Sequence, residues 1–219
     1  MKFSKTLSLA VLMVSFFAGN AQTRFGFFAG PQMTYTKYSI NSIKQESTPK
    51  FGFQAGATWK IPFEERLSFS PAAFYSLKGY KVDYNRRPFP PDTLATNNNT
   101  TFHTFELAFL LQLDLGKGPG HFFVKAGPSI DFQLAGKEKF SESDTVFIDR
   151  KLKFDFGSYG HYGANLLVQF GYEAPKGFFI FGQYTHGVGS INNADGGPLI
   201  RHRAVGVSVG TFLGRKKPA

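Results

Sequence analysis

The amino-acid sequence predicts an all-β fold, an eight-stranded antiparallel up-and-down barrel. Three observations carry this prediction. Aromatic residues make up 17% of the chain and glycines number 24, a composition that favours strands over helices. Eight segments alternate apolar and polar side chains with the two-residue period of a β-strand. The connections between these segments are alternately short and long.

The N-terminus has the pattern of a secretory signal peptide. Lys2 and Lys5 precede an apolar run over residues 7–18, and small residues at Gly19 and Ala21 fit cleavage after Ala21. The run is too short to span a bilayer as a helix. We therefore expect residues 1–21 to be removed and residues 22–219 to form a single domain.

The absence of cysteine and the positive net charge limit the kinds of protein that this chain can be. The chain has no cysteine, so a core or a membrane must supply the stability that disulfides give many exported proteins. The formal net charge is +10, but the positive residues are scattered or lie in predicted connections. In an exported chain this charge favours attraction to anionic lipid or lipopolysaccharide headgroups rather than to nucleic acid.

The clearest strand is FHTFELAFLLQLDL, residues 102–115. From position 104 onward, every odd position is Phe or Leu, whereas the even positions include Glu106, Gln112 and Asp114. A transmembrane strand needs roughly 9 to 11 residues with an apolar exterior and a polar interior. This segment satisfies both conditions.

The other strands follow the same pattern in chain order. They are predicted at residues 24–35, 51–61, 67–78, 122–134, 155–170, 177–189 and 203–212. Phe28 interrupts the alternation of the first strand, and Phe179 and Phe181 interrupt that of the seventh.

Three prolines fall on the predicted outward face. Because proline removes a ladder hydrogen bond, Pro31, Pro71 and Pro128 each need a bulge or a position where the donor is dispensable.

The connections define two different rims. The connections after the second, fourth and sixth strands are predicted to be tight turns, with the sequences PFEER, GKGPG and EAPKG. Long polar connections over residues 36–50, 81–100, 136–153 and 190–200 follow the other strands. Short periplasmic turns and long extracellular loops are typical of barrels in the bacterial outer membrane. The sequence therefore predicts a transmembrane barrel.

Four segments resemble the PorT-type outer-membrane β-barrel proteins. They are FGFFAGPQMTY, LSFSPAAFYSLKGYKV, HFFVKAGPSIDF and FFIFGQYTHGVGSI, and the resemblance extends over the whole chain after the signal peptide. The resemblance implies a location in the bacterial outer membrane and insertion by the barrel-assembly machinery.

A barrel of eight strands has an interior that side chains can fill, so an open pore is not expected. Inward charges must then be paired, because unpaired buried charge is costly. Lys78 and Glu106 lie at similar heights on neighbouring strands and are predicted to pair. The predicted interior polar network consists of Lys78, Glu106, Asp114, Lys125, Asp131 and His161.

Outward aromatic residues are candidates for the girdles that mark the two membrane interfaces. The alternative interpretation is ordinary packing on the barrel wall. The candidates are Trp59, Tyr75, Tyr162, Tyr184 and Phe212.

The sequence contains no catalytic motif. His186, Ser190, Asp195 and His202 lie near the outer end of the last two strands, and His161 with Asp155 is a second combination, but neither set has the spacing of a nucleophile elbow. The histidines lack metal-ligand spacing, and cysteine is absent. We expect no catalytic residue, cofactor or metal site.

The sequence therefore predicts a monomeric, non-catalytic outer-membrane barrel. It would act structurally, in adhesion, or as an accessory to an envelope or secretion assembly through its external loops, of which the Pro-rich one over residues 86–91 is the most unusual. Two alternatives remain. A secreted lipocalin-like barrel would bind a small apolar ligand, with Phe105 and Leu107 facing a cavity and Glu106 in water. A lipid-modifying outer-membrane enzyme is the other.

Overall fold

A computed structural model of the chain describes residues 23–85, 94–143 and 145–213. The predicted signal peptide and the Pro-rich stretch over residues 86–91 lie outside the described residues. Within the described ranges all regular structure is β-strand. The same ranges contain no helix with the length and apolarity that a membrane span requires.

Thirteen strands are present in the described residues. They are β1 (Arg24–Ile40), β2 (Ile43–Lys44), β3 (Glu46–Thr48), β4 (Lys50–Pro62), β5 (Leu67–Phe69), β6 (Ala72–Asp83), β7 (Asn97–Ala108), β8 (Leu111–Leu115), β9 (His121–Ser141), β10 (Phe147–Lys151), β11 (Tyr162–Glu173), β12 (Phe178–Gly187) and β13 (Leu199–Leu213).

These strands form eight walls of one closed barrel. β5 with β6 makes the third wall and β7 with β8 the fourth, while β2, β3 and β10 belong to the connections at the loop end. Neighbouring walls are antiparallel throughout, and β1 closes the ring against β13, from Phe25 opposite Leu213 to Ser39 opposite Leu199. The predicted eight-stranded barrel is confirmed. Because the first and last walls pair with each other, the barrel has no free sheet edge.

The outer surface of the barrel carries a band of apolar side chains. Residues such as Phe122, Val207 and Leu111 are each more than half exposed on this surface. Glu106, by contrast, is fully buried, and its neighbour Phe105 points outward. The phasing is thus the one predicted for a membrane barrel and the reverse of that required by a lipocalin-like barrel.

The three prolines lie where a ladder is interrupted. The pairing of β1 with β13 skips Gly30 and Pro31, and Pro71 lies in the gap between β5 and β6. The corresponding gap between β7 and β8 faces Pro128, whose carbonyl accepts a hydrogen bond from the Phe109 amide at 2.9 Å. The register is unchanged across each gap, so these prolines occupy interruptions rather than bulges. Among the strands that the structure describes, a register shift occurs between His103 and Thr104.

Several walls continue further toward the loop end than predicted. β6 ends at Asp83 and β7 begins at Asn97, so both ends of the predicted loop 81–100 are strand. β9 likewise runs to Ser141, and β10 folds back on it as a hairpin. The sixth wall is shorter than predicted, because it begins at Tyr162 and leaves Phe156 in a loop with 96% of its surface exposed.

The interior is layered rather than uniformly polar. Along the inward side of β1, Arg24 is followed by Phe28, then by Gln32 and the threonines after it, and then by Tyr38 near the loop end. Two apolar clusters therefore alternate with polar layers. The cluster nearer the turns consists of Phe28, Ala72, Phe74, Ala108, Leu110, Phe123, Leu167, Phe179, Phe181 and Phe212. The cluster nearer the loops consists of Tyr38, Ile40, Tyr80, Val82, Phe102, Leu152, Ile191 and Ile200.

These clusters explain why the alternation breaks at Phe28, Phe179 and Phe181: all three side chains point inward and pack together, with Phe28 and Phe181 ring centroids 5.4 Å apart. The outward placement of Phe212 was wrong. Its ring is buried inside the barrel, 4.7 Å from that of Phe179.

Gly127 points inward and allows the fourth and fifth walls to approach each other closely. A Cβ atom on Gly127 would lie 2.1 Å from the Phe109 carbonyl oxygen, at the gap between β7 and β8. We predict that Gly127→Val prevents the fourth and fifth walls from pairing and lowers the fraction of heat-modifiable, folded barrel on unboiled SDS gels. Ala126→Leu adds the same number of carbon atoms on the exposed outer face and is expected to leave that fraction unchanged. Equal folding of both variants would contradict the packing described here.

Candidate functional site

A cluster of charged side chains closes the turn end of the barrel. Lys60 Nζ lies 2.7 Å from Asp114 Oδ2 and 3.0 Å from Glu173 Oε2. Arg24 forms a second ion pair with Glu173 and stacks over the Phe212 ring. The His121 ring completes the cluster, with Nε2 3.3 Å from Lys60 Nζ. The five walls that contribute these residues are thereby linked where the interior would otherwise open to the periplasm.

A second charged cluster lies further along the interior. Lys78 Nζ donates to Glu106 Oε2 at 2.8 Å and to both carboxylate oxygens of Asp131 at 2.8 and 2.9 Å. Ser129 donates to the other Glu106 oxygen at 2.5 Å. The register places Glu106 directly opposite Asp131, and the Lys78 side chain reaches both carboxylates from the neighbouring wall. The contact expected between Lys78 and Glu106 is therefore present, and Asp131 joins it.

Lys125 makes a different contact. It is buried, and its Nζ lies 5.2 Å from the centre of the Phe123 ring. It forms no ion pair with a carboxylate among the described residues. The turn-end cluster and Lys125 together carry one more cation than carboxylates, and the Lys78 cluster carries one more carboxylate than cations. Counted as formal charges, with His121 neutral, these two differences cancel.

Neutral side chains form a chain of hydrogen bonds across the barrel interior. Gln169 donates to Gln183 at 2.8 Å, Gln183 donates to Gln54 at 3.1 Å, and Gln54 donates to Ser208 at 3.0 Å. All four residues are buried. These hydrogen bonds link four walls and occupy the space that a pore would need.

His161 does not belong to the interior network, contrary to the prediction. It is exposed and precedes β11, where its carbonyl accepts a hydrogen bond from the Gln133 amide at 2.8 Å. Its ring lies 5.7 Å from that of Phe154. Asp155 is also exposed in this connection, where the Ser158 hydroxyl donates to it and lowers the pKa of its carboxyl. The sixth wall begins later than the alternation suggested, which puts both residues outside the barrel.

The four tyrosine and tryptophan candidates for aromatic girdles all lie on the outer face. Trp59 is near the turn end and packs on Phe25 at 5.0 Å. Tyr75, Tyr162 and Tyr184 lie toward the loop end, and the hydroxyls of Tyr75 and Tyr184 contact His103 and His186 at 2.5 and 3.1 Å. This arrangement is compatible with two girdles.

A cavity of about 500 Å³ lies at the loop end of the barrel, above the apolar cluster nearer the loops. Tyrosine rings form much of its wall: Tyr38 and Tyr84 join through their hydroxyls at 3.3 Å, and Tyr159 joins Tyr80 at the same distance. Residues from three connections, including Ala95, Asn192 and Ala194, complete the lining.

The cavity also contains a charged pair on its wall. Glu138 is buried on β9 and accepts a hydrogen bond from Arg150 Nε at 2.6 Å. Its other oxygen accepts one from Asn98 Nδ2 at 3.2 Å. Burial raises the pKa of the Tyr159 hydroxyl well above its ordinary value, so this group is a neutral hydrogen-bonding group. The cavity thus offers aromatic faces with fixed donors and acceptors, a combination suited to binding a polar ligand or segment.

The structure does not assemble the catalytic combinations considered from the sequence. His186 contacts Tyr184, and Ser190 Oγ accepts hydrogen bonds from the backbone amides of Asn192 and Ile200. His202 is buried against Phe102, and neither ring nitrogen has a hydrogen-bond partner among the described residues. No group of three or more metal-ligating side chains occurs in this part of the chain.

Sequence reasoning missed Arg24, His121 and Glu173 as members of the interior network. Glu173 has the inward parity of Gln169, but it stands next to the turn motif and was grouped with it. The cavity was also missed, since its lining comes from connections far apart in sequence.

Removal of one interior cation tests the network. We predict that Lys78→Met lowers the free energy of unfolding by about 3–5 kcal/mol, because it leaves Glu106 and Asp131 buried and facing each other. Urea unfolding in lipid vesicles, followed by Trp fluorescence, measures the change. The exposed Lys81→Met is the control and should change stability by less than about 0.5 kcal/mol.

The combined variant Lys78→Met, Glu106→Gln, Asp131→Asn should recover part of the loss, because no buried charge is left unpaired. If Lys78→Met and Lys81→Met have equal effects, the Lys78 cluster does not stabilise the barrel.

Comparison with known proteins agrees with this architecture. Residues 17–193 match the family model of the outer membrane protein beta-barrel domain. Among curated proteins, none matches the sequence.

Similar solved structures include Ail, the attachment invasion locus protein of Yersinia pestis, with 11% identity over 88% of this chain and 99% of that chain and a TM-score of 0.44. OprG from Pseudomonas aeruginosa has 11% identity over 89% and 98% of the two chains, with a TM-score of 0.44. Neisserial surface protein A has 10% identity over 84% and 96%, with a TM-score of 0.41. The family match, which covers most of the sequence, shows that the chain belongs to the outer membrane protein β-barrel domain family and is a protein of the bacterial outer membrane.

Proposed function

We propose that the protein is a non-catalytic barrel that recognises a partner at the cell surface through the cavity at its loop end. One observation carries the proposal: the interior is filled by alternating charged, apolar and polar layers, whereas the space above them is an open cavity with defined chemistry. A filled barrel is unsuited to transport, so the exposed cavity is where a ligand has access.

A non-catalytic role is supported by the arrangement of potential nucleophiles and bases. Ser190 is engaged by backbone amides, and His186 by Tyr184, so neither is oriented toward the other. Acid–base catalysis requires the nucleophile and its base within hydrogen-bond reach. This consideration favours adhesion or an accessory role over lipid modification.

The lining of the cavity favours a polar segment of a protein partner. Tyrosine rings provide flat apolar faces, and the Glu138–Arg150 pair presents both charges at one place. Such surfaces resemble the centres of protein interfaces, where tyrosine and arginine are enriched. The adhesive and accessory roles both require such contact.

The remaining proposals concern the cell envelope. The four segments that resemble PorT-type proteins support a role in an envelope or secretion assembly. They also support insertion of the protein, as a monomer, by the barrel-assembly machinery. Removal of residues 1–21 would leave residues 22–219 as the mature domain. The excess of positive charge supports lipopolysaccharide as a lipid partner.

Photo-crosslinking in intact cells tests the partner site. A photoreactive phenylalanine analogue replaces Ala194 in the cavity, and the same analogue at Ala164, on the outer face of β11, is the matched control. We predict a discrete adduct with one envelope or host protein, identified by mass spectrometry, from position 194 and none from position 164. Adducts of equal yield from both positions, or none from position 194, would contradict the proposed site.

A further inference from the structure

Four cations lie together on the outer face of β1 and β13, the first and last walls, and of the adjoining short strand β2. Lys37 is directly opposite Arg201, Arg203 is opposite Tyr35, and Lys44 is opposite Ser39. Side chains of directly opposed residues point to the same face. We call Lys37, Lys44, Arg201 and Arg203 the basic patch.

The basic patch begins where the apolar outer surface ends. On the same two walls, Met33 and Val205 are exposed one step nearer the turns, followed by Val207 and Val209. An apolar band of this kind faces the acyl chains, and the positions just beyond it on the loop side lie at the depth of the outer-leaflet headgroups.

The basic patch lacks acidic partners. Like charges directly opposed across strands are destabilising, as in the Lys37–Arg201 pair. Within the described residues none of the four cations forms an ion pair. On another part of the loop end, Lys137 and Lys139 both form ion pairs with Asp149 at 3.0 Å. The basic patch therefore has unused capacity for an anion.

We propose that the basic patch binds the phosphate groups of a phosphorylated glycolipid in the outer leaflet, the lipid A part of lipopolysaccharide. From the level of Arg203 to that of Lys44 is four residues along β1, or about 13 Å, which is long enough for more than one phosphate. Arginine presents paired donors that suit phosphate oxygens. The inference deepens the lipopolysaccharide partnership proposed above and depends only on the membrane location, not on the cavity.

Lipid retention measures this binding. The purified barrel is incubated in detergent with diphosphoryl lipid A, and native mass spectrometry counts the lipid molecules retained. We predict that Arg201→Gln with Arg203→Gln reduces retention by about tenfold or more. Lys137→Gln with Lys139→Gln removes the same charge from a site whose lysines are paired with Asp149, and it should leave retention unchanged. Heat-dependent gel mobility shows that both variants are folded.

The remaining measurements separate the lipid source from general charge attraction. Phosphatidylglycerol, which has one phosphate, should be retained far less than diphosphoryl lipid A. If the arginine variant does not fold, Lys37→Gln with Lys44→Gln should show the same loss of lipid A retention. Equal losses in the basic-patch variant and the Lys137–Lys139 control would overturn the proposal, as would equal retention of the two lipids. A failed crosslink at position 194 would leave this result unaffected, so the two proposals fail separately.

Discussion

The requirement that every backbone amide and carbonyl be paired within lipid governs this structure. A sheet meets it only by closing on itself, which here occurs between β1 and β13. Closure at eight walls fixes a narrow interior, and the narrow interior must be filled by the inward half of each strand. Charge pairing in that space, as in the contacts of Lys78 and Lys60, is a consequence of closure. The layers then separate a sealed membrane portion from a loop end that is free to vary.

This division places recognition outside the membrane. The membrane portion shows its apolar side to lipid and satisfies its polar side internally, so neither side is available to a water-soluble ligand. Beyond the lipid band the same walls continue as strands and carry two distinct surfaces: an aromatic cavity facing the barrel axis and the basic patch facing outward. The first has donors, acceptors and both charges, whereas the second has only cations. Different partners are therefore expected for the two surfaces.

Much of the wall could be predicted from the sequence, because the two-residue period of a strand determines which side chains face lipid. Glu106 and Lys78 were assigned to the interior by parity alone, and the apolar layer at Phe28 appeared as a break in that parity. The alternation of side chains does not show where a strand ends. His161 was misplaced because the loop before β11 continues the apolar–polar alternation by chance. Phe212 was also misplaced: it was predicted to be an outward girdle residue, whereas its ring points inward and packs on Phe179 and under Arg24. The cavity depends on contacts between distant connections, which no local pattern records.

The central claim is that the apolar parity faces lipid, and Trp59, the single tryptophan, reports on it directly. Its fluorescence is measured in vesicles of phosphatidylcholine brominated at different depths along the acyl chain. Because Trp59 lies on the outer face near the turn end, strong quenching is expected, greatest for bromines close to the headgroup. Fluorescence unaffected by bromine at every depth would place Trp59 away from lipid and contradict the assignment of the two faces.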